Sequence, residues 1–328
     1  MDKSYKIEIS HKTIIFTIVF VLLLKFVWVI KDLLFSIFIA FIIMSALKPA
    51  ITWLNKKKVP RLVSSIIVYL LFLAIFINSL SFIIPPLVKQ SAQLLINIPS
   101  ILENLFPQFT ATFNIGALTQ YLPGITSQVF NFAKNIFSNA VFTITTFFFG
   151  FYFLLEEDLI EKLLVKFFEK EQTKAAIDIS SQIEKRMSNW FWGEITLMLI
   201  VGVLTYLGMS LIGIKYVLAL AVLAGILEVI PNLGPTLAAI PAMLIGFSQS
   251  IFLGLAALAV SFIVQQLENN FIVPLVMKKA TGLNPIITLV ALIVGGRVGG
   301  VLGVVLAIPA TLFLEVLLIE LLKQDNLN

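Results

Sequence analysis

Polar residues inside very apolar stretches are the feature of this sequence most able to carry chemistry. In "EVIPNLGPTLAAIP", Glu228 and Asn232 accompany a break made by Pro231, Gly234 and Pro235. Proline removes a backbone donor and glycine weakens a helix, so the stretch predicts a turn with free backbone polar groups. Carboxyl, amide and free backbone groups at membrane depth can bind a small polar solute, a cation or a proton.

A second set of polar side chains lies near the ends of later apolar segments. Its members are Gln265, Gln266, Glu268, Asn269, Asn270 and Arg297. Gln265, Glu268 and Asn269 are spaced i, i+3 and i+4, so one helical face could present them together. With the turn at 231–235 they form the predicted substrate or ion pathway.

Structural alternatives exist for the three charged residues of this pathway. Glu268 could lie at the cytoplasmic end of its helix and pair with Lys278 or Lys279. Glu228 could be buried in a structural ion pair with Arg297. Alternatively, the side chain of Arg297 could extend to a membrane interface.

Composition identifies the medium in which these groups lie. The 328 residues are 59% hydrophobic and 12% charged, with a mean hydropathy of +1.02, whereas soluble domains carry roughly 25% charge. We therefore expect an all-α polytopic membrane protein. There is no cysteine, His11 is the only histidine, and the chain has no catalytic triad or phosphate-loop motif. We expect no metal site, cofactor, nucleic-acid partner or enzymatic activity.

Eight apolar segments are predicted to enter the membrane within one domain, 1–328. They are 13–30, 33–51, 62–84, 136–155, 194–212, 216–248, 251–273 and 285–322. The first two should pack as a hairpin. The N-terminal helices (1–84) precede an amphipathic insert (87–135), a charged helix (156–193) and a C-terminal core (194–322). Lysine and arginine are concentrated in the N-terminal tail, 48–61 and 156–193, which predicts a cytoplasmic N-terminus and an extracytoplasmic 87–135.

Two of these segments are interrupted. The arm from 216 to 230 is about 22 Å long, short of the ~30 Å hydrocarbon layer, so 216–248 is predicted to be a re-entrant hairpin. In 285–322 the interruption consists of glycines, and whether this segment re-enters or spans is left open. The residues predicted to act as hinges or packing sites are Pro274, Gly295, Gly296, Gly299, Gly300 and Pro309. Hairpins from opposite sides would form an inverted pair.

The charged helix 156–193 carries an apolar stripe. One interpretation is a cytoplasmic helix that continues into the next span. The other is a contact between subunits, since a stripe needs a partner. The predicted contact residues are Leu163, Phe167, Ile183 and Met187.

Several motifs of the C-terminal 40% resemble the autoinducer-2 exporter family, also described as PerM-like permeases. They are "EVIPNLGP", "QQLENNFIVP", "GLNP" and "GGVLGVVLAIP". The resemblance implies an eight-segment transporter of the bacterial inner membrane with both termini cytoplasmic, and a homo-oligomer, with a pentamer favoured. Members have been linked to export of autoinducer-2 or to exchange of sodium or lithium for protons.

Three functions follow from these observations. The first is a secondary transporter that exports a small polar solute, such as autoinducer-2, by alternating access. The second is a sodium (lithium)/proton antiporter in which Glu228 and Glu268 carry ions. The third is an oligomeric membrane scaffold that transports nothing. A scaffold needs no unwound backbone at membrane depth, so the broken helices argue against it.

Overall fold

The computed structural model describes residues 11–79, 81, 85, 140–156, 162, 170–231, 233–277 and 283–325. All regular structure in these ranges is helical, which confirms the predicted all-α class. The α-helices are α1 (His11–Val29), α2 (Lys31–Lys56), α3 (Arg61–Ser79), α4 (Ala140–Leu155), α5 (Lys170–Leu211), α6 (Val217–Leu227), α7 (Leu233–Gln249), α8 (Ile251–Leu267), α9 (Val273–Met277) and α10 (Pro285–Asp325). A π-helical turn, Glu268–Ile272, joins α8 to α9.

The described helices match the predicted membrane segments. Six are long and apolar enough to cross a bilayer (α1, α2, α3, the Thr173–Leu211 part of α5, α8 through α9, and α10 to Ile319), and two shorter apolar helices lie in α4 and α6. The predicted insert 87–135 lies outside the described residues.

The first two helices do not pack as the predicted hairpin. Helix α1 has no buried residue. Its backbone hydrogen bonds continue into α2, because Ile30 donates to Phe26 and Leu34 donates to Ile30, both at 3.0 Å. The junction is a bend with little contact between the two helices, so α1 presents its apolar surface outward on all sides.

Helices α2, α3 and α4 form one hydrophobic cluster. Met44 and Leu47 of α2 pack there with Tyr69 of α3 and Leu154 of α4. The Tyr69 hydroxyl donates to the Phe147 carbonyl at 2.5 Å, and side chains of α3 donate to the carbonyl of Leu154. These bonds satisfy backbone acceptors of α4, including one at its C-terminal end, which has no partner inside the helix.

Helix α5 is the central element of the described chain. At 42 residues it is about 63 Å long, twice the hydrocarbon thickness. Its first half carries charges of both signs and its second half is apolar. The interpretation of 156–193 as a helix that continues into the next span is therefore confirmed for the described part, from Lys170 onward.

The apolar stripe on α5 is covered by the same chain. Ile183 and Met187 are buried in a cluster with Ile42 of α2 and with Leu306 and Leu312 of α10. A contact with a second subunit was predicted at Ile183 and Met187 because the stripe was expected to be uncovered. The structure removes that reason, because both side chains are already buried within the same chain. Leu163 and Phe167 lie outside the described residues.

Two ion pairs join the charged half of α5 to its neighbours. Lys48 of α2 contacts Glu184 at 2.6 Å, and Arg186 pairs with Glu315 of α10. The C-terminal part of α2, the charged half of α5 and the C-terminal part of α10 therefore lie at the same end of the molecule. This agrees with the prediction that all three lie on one side of the membrane.

Candidate functional site

The break at 228–235 is a tight turn between α6 and α7, which pack on each other. Backbone hydrogen bonds stabilise it: Ile230 donates to Leu227 at 2.9 Å and Gly234 donates to Ile230 at 2.8 Å. A Cβ atom at Gly234 would overlap the carbonyl of Leu227, so only glycine allows the two backbones to come this close. We call α6, this turn and α7 the proline hairpin.

The turn places two of its predicted residues in the protein interior. Gly234 and Pro235 are buried, and Pro231 is half-buried. Glu228 ends α6 and is 2% exposed. Asn232 lies outside the described residues.

The π-helical turn after α8 directs Glu268 inward. Pro274 has no N–H to donate to the carbonyl of Asn270, and the backbone forms a wider turn in which Val273 donates to Glu268. Glu268 is 2% exposed. Pro274, which was predicted to be a hinge or packing residue, thus changes the backbone hydrogen bonds at this turn.

The predicted common face of Gln265, Glu268 and Asn269 does not form, because the π-helical turn changes the helical register. Glu268 is buried and Gln265 is half-buried, whereas Gln266, Asn269 and Asn270 are exposed. Gln265 donates to the hydroxyl of Thr236 on α7 at 3.4 Å.

Glu228, at the end of α6, and Glu268, at the end of α8, lie close together and are both buried. Two carboxylates offer only acceptors, so a hydrogen bond between them would need a proton. One oxygen of each residue, Oε2, is buried with no hydrogen-bond partner among the described atoms.

A third glutamate, which the sequence reasoning missed, completes this group. Glu194 of α5 is 6% exposed and lies close enough to interact electrostatically with Glu228 and Glu268. Its Oε1 also has no described hydrogen-bond partner. We call Glu194, Glu228 and Glu268 the carboxyl cluster. The available signal was a carboxylate in "WFWGEITLMLI", just inside the apolar half of α5.

The alternative partners proposed from the sequence do not neutralise the cluster in the described part of the chain. Arg297 is exposed on α10 and forms no ion pair with Glu228 there. Lys278 and Lys279 lie outside the described residues. Among the described residues, no group of three His, Cys, Asp or Glu side chains has a metal-binding arrangement.

A small cavity adjoins the carboxyl cluster. Ala224 and Val264 line it, and they precede Glu228 and Glu268 by four residues, one helical turn. Pro235 of α7 and Val201 of α5 complete the same wall. Thr205 and Ser261 supply the hydroxyl groups of an otherwise apolar lining. The cavity thus lies between α5, α6, α7 and α8, about one helical turn from Glu228 and Glu268, and the three carboxyl groups are not part of its lining.

The glycine-rich interruption reverses the direction of α10. Gly300 has φ 57° and ψ −136°, a conformation that disfavours side chains. The backbones of Gly295 and Gly303 touch, and a Cβ at Gly296 would lie 3.2 Å from Val304. These contacts between residues eight apart show that two arms run antiparallel. We call α10 the glycine hairpin.

The two hairpins do not meet in one site. The glycine hairpin packs on α5, and a Cβ at Gly299 would meet the ring of Phe35 on α2 at 2.6 Å. Pro309 is fully buried in its second arm. The proline hairpin instead packs on α8 and on α5. The predicted glycine and proline positions of α10 therefore serve packing, away from the carboxyl cluster.

Apolar helices of spanning length, two reversals and a buried carboxyl cluster define a polytopic membrane protein with an ionisable site inside its membrane body. The family model for "AI-2E family transporter" matches residues 14–323. The chain belongs to this family of membrane transporters, which confirms the resemblance seen in its motifs.

Curated relatives match over most of their length. The chain is 29% identical to "Putative transport protein YueF" of Bacillus subtilis over 92% of this chain and 88% of that protein. It is 26% identical to "Putative transport protein YrrI" of the same organism, over 90% and 88% of the two chains. "Putative transport protein sll0063" of Synechocystis is 26% identical over 84% and 75%. These names indicate a permease and not an enzyme.

Proposed function

We propose that the protein is a proton-coupled secondary transporter whose coupling site is the carboxyl cluster. The observation that carries this proposal is the burial of Glu228 and Glu268 near each other in an apolar body, each with an unpartnered carboxyl oxygen and no described basic partner. Two negative charges 4 Å apart repel by about 4 kcal/mol even at an effective dielectric constant of 20. Neutralisation by a proton or a cation removes this repulsion.

The first candidate is exchange of a monovalent cation, sodium or lithium, for protons. Carboxyl oxygens are ligands that hard cations prefer, and the same oxygens bind protons. Competition for one site couples the two fluxes, because either occupant must leave before the other binds. Alternating access would open the site to each side in turn, with the proline hairpin moving against α5 and α8.

Export of a small polar solute is the second candidate. The cavity next to the cluster carries the hydroxyls of Thr205 and Ser261, and Gln265 and Thr236 lie between α7 and α8. Autoinducer-2 is a candidate solute because the family is named for its transport. A solute that uses this cavity would still be driven by protons at the carboxyl cluster.

Flux measurements in sealed liposomes test the proposal and separate the two candidates. Purified protein is reconstituted with a pH-sensitive dye inside, and a pH gradient is imposed. Sodium or lithium added outside should collapse the gradient only where the protein is present. The second assay follows a labelled sugar-like solute under the same gradient. If neither cation nor solute moves with protons, the transport proposal is wrong.

We also propose that the chain acts as a homo-oligomer in the bacterial inner membrane, with a pentamer as the expected form. The support is α1, whose apolar surface is uncovered on every side within the described chain. Lipid or a neighbouring copy would cover it. Native mass spectrometry in mild lipid conditions should yield an oligomer, and a monomer alone would contradict the proposal.

A further inference from the structure

Glu228 belongs to the proline break and Glu268 belongs to the polar motif "QQLENN". Glu194, the third member of the carboxyl cluster, lies outside both. It lies on α5, opposite the ends of α6 and α8, and is almost completely buried. A buried carboxyl oxygen without a hydrogen-bond partner destabilises a protein, and the Oε1 atom of Glu194 is one. A purely structural role would be served better by an apolar residue at this position, so the carboxyl group itself points to a use.

The elements packed around Glu194 hold few other charges. Helices α6, α7, α8 and α9 contain no Asp, Glu, Lys, Arg or His, so Glu228 and Glu268 are the titratable groups that they bring near it. No described basic side chain contacts the cluster. Helices α2 and α10 also pack on α5, and their Lys48 and Glu315 are paired with Glu184 and Arg186. The three carboxyls are therefore the titratable groups that α6, α8 and α5 bring together here.

The charges that precede Glu194 on α5 belong to other interactions. Arg186 is paired with Glu315 of α10, and Glu184 is paired with Lys48 of α2. Lys185, between them, is the remaining charge within ten residues before Glu194. These residues form the charged half of α5, which ends about two helical turns before Glu194.

The order of the three carboxyls along the bundle follows from their helices. Glu194 is on the one helix that continues without a break into the charged half. Glu228 and Glu268 are at the ends of α6 and α8, whose remaining residues extend toward the cavity. A proton that leaves the pair for the polar end of α5 therefore meets Glu194 as the next acceptor.

We propose that Glu194 passes protons between the polar end of α5 and the Glu228–Glu268 pair, an inference that rests on the proposed proton-coupled transport. In this step an O–H bond of Glu194 breaks and an O–H bond forms at the accepting carboxylate of the pair. Glu194 becomes a carboxylate and the acceptor becomes neutral, so charge and atoms balance without another reactant. Release follows the reverse path.

Sodium flux in proteoliposomes tests this role with two assays on each variant. The first is exchange of sodium for protons, and the second is exchange of labelled for unlabelled sodium at equal pH, which needs no net proton transfer. We expect Glu194→Gln to slow the first at least about 10-fold, as loss of a proton-transfer group does. The second assay should stay near the wild-type rate.

Two further variants separate proton transfer from packing and from charge alone. Glu194→Asp retains the carboxyl and should recover part of the proton-coupled rate. Asp178→Asn removes an exposed carboxylate from the same helix and should behave as wild type. Equal loss of both assays in Glu194→Gln, or wild-type sodium–proton exchange in it, would overturn the proposal.

Infrared difference spectra between acidic and alkaline pH provide a readout that does not depend on transport. Glu194→Gln should remove one component of the protonated-carboxyl band and change the pH range over which the components of Glu228 and Glu268 titrate. A band that titrates as in the wild type contradicts the inference. If the wild type moves no sodium but this band changes as expected, the transport proposal fails and the proton link among the three carboxyls stands.

Discussion

The proline hairpin and the glycine hairpin reverse the chain by different means and with different consequences. In the proline hairpin, Gly234 fits against Leu227 while Glu228 is buried at the turn. In the glycine hairpin, Gly295 and Gly303 bring two arms into backbone contact, and Arg297, the charge nearest its turn, is exposed. A broken apolar helix therefore indicates a chain reversal, whereas a buried ionisable group at the reversal indicates a functional site.

The largest expected difference between the hairpins is the side of the membrane from which each starts. The chain has no cysteine, so single cysteines can report it. We expect Lys215→Cys, in the exposed loop before α6, to be labelled by an impermeant thiol reagent in intact cells. Asn284→Cys, exposed just before α10, should be protected until the membrane is opened. Labelling of both positions from the same side would rule out an inverted pair.

Loss of transport with a normal fold is expected from a change at the turn of the proline hairpin. Leucine in Asn232→Leu suits an apolar sequence segment but removes an amide that can bind a solute or ion. Initial rates in liposomes should fall by two orders of magnitude or more, roughly the scale of a lost transition-state contact. The amount of inserted protein and its elution volume are the controls. Normal flux at normal protein levels would leave the turn with a structural role alone.

Loss of stability is expected from a change inside the glycine hairpin. In Gly303→Ala the new methyl group overlaps the backbone of Gly295, and overpacking of this kind costs about 1–3 kcal/mol. The apparent melting temperature in detergent should fall by several degrees. Gly150→Ala is the matched control, because its nearest contact would be 3.4 Å from the Tyr69 hydroxyl oxygen. Equal melting temperatures for the two variants would contradict the close approach.

The smallest effect is expected at Arg297. Its side chain is exposed and has no described ion pair, so Arg297→Gln should change flux and stability little, by less than about 0.5 kcal/mol for the latter. The same liposome and melting assays measure both. A severe loss of proton-coupled flux would show that the glycine hairpin takes part in the chemistry and would remove the contrast drawn between the two regions.

Hydropathy and helix breakers sufficed to predict the helical class and the positions of both interruptions, because these depend on local composition, but the second interruption was not identified as a reversal. Tertiary packing decided the rest. Ile183 and Met187 looked uncovered because the sequence does not state that α2 and α10 lie over them. Glu194 looked like an ordinary residue at the start of a span, since its importance comes from two glutamates more than thirty residues away. The π-helical turn at Glu268 likewise changes a face that regular spacing predicted.

The most direct test of the account is sodium-driven proton flux through Glu228→Gln in sealed liposomes. Glutamine keeps the size of the side chain but cannot carry an exchangeable acidic proton, so flux should fall roughly 100-fold or more. Insertion and oligomeric state, measured on the same sample, should be unchanged, and a neutral solute should still move at a reduced rate. Sodium–proton exchange at the wild-type rate in this variant would contradict the assignment of the carboxyl cluster as the coupling site.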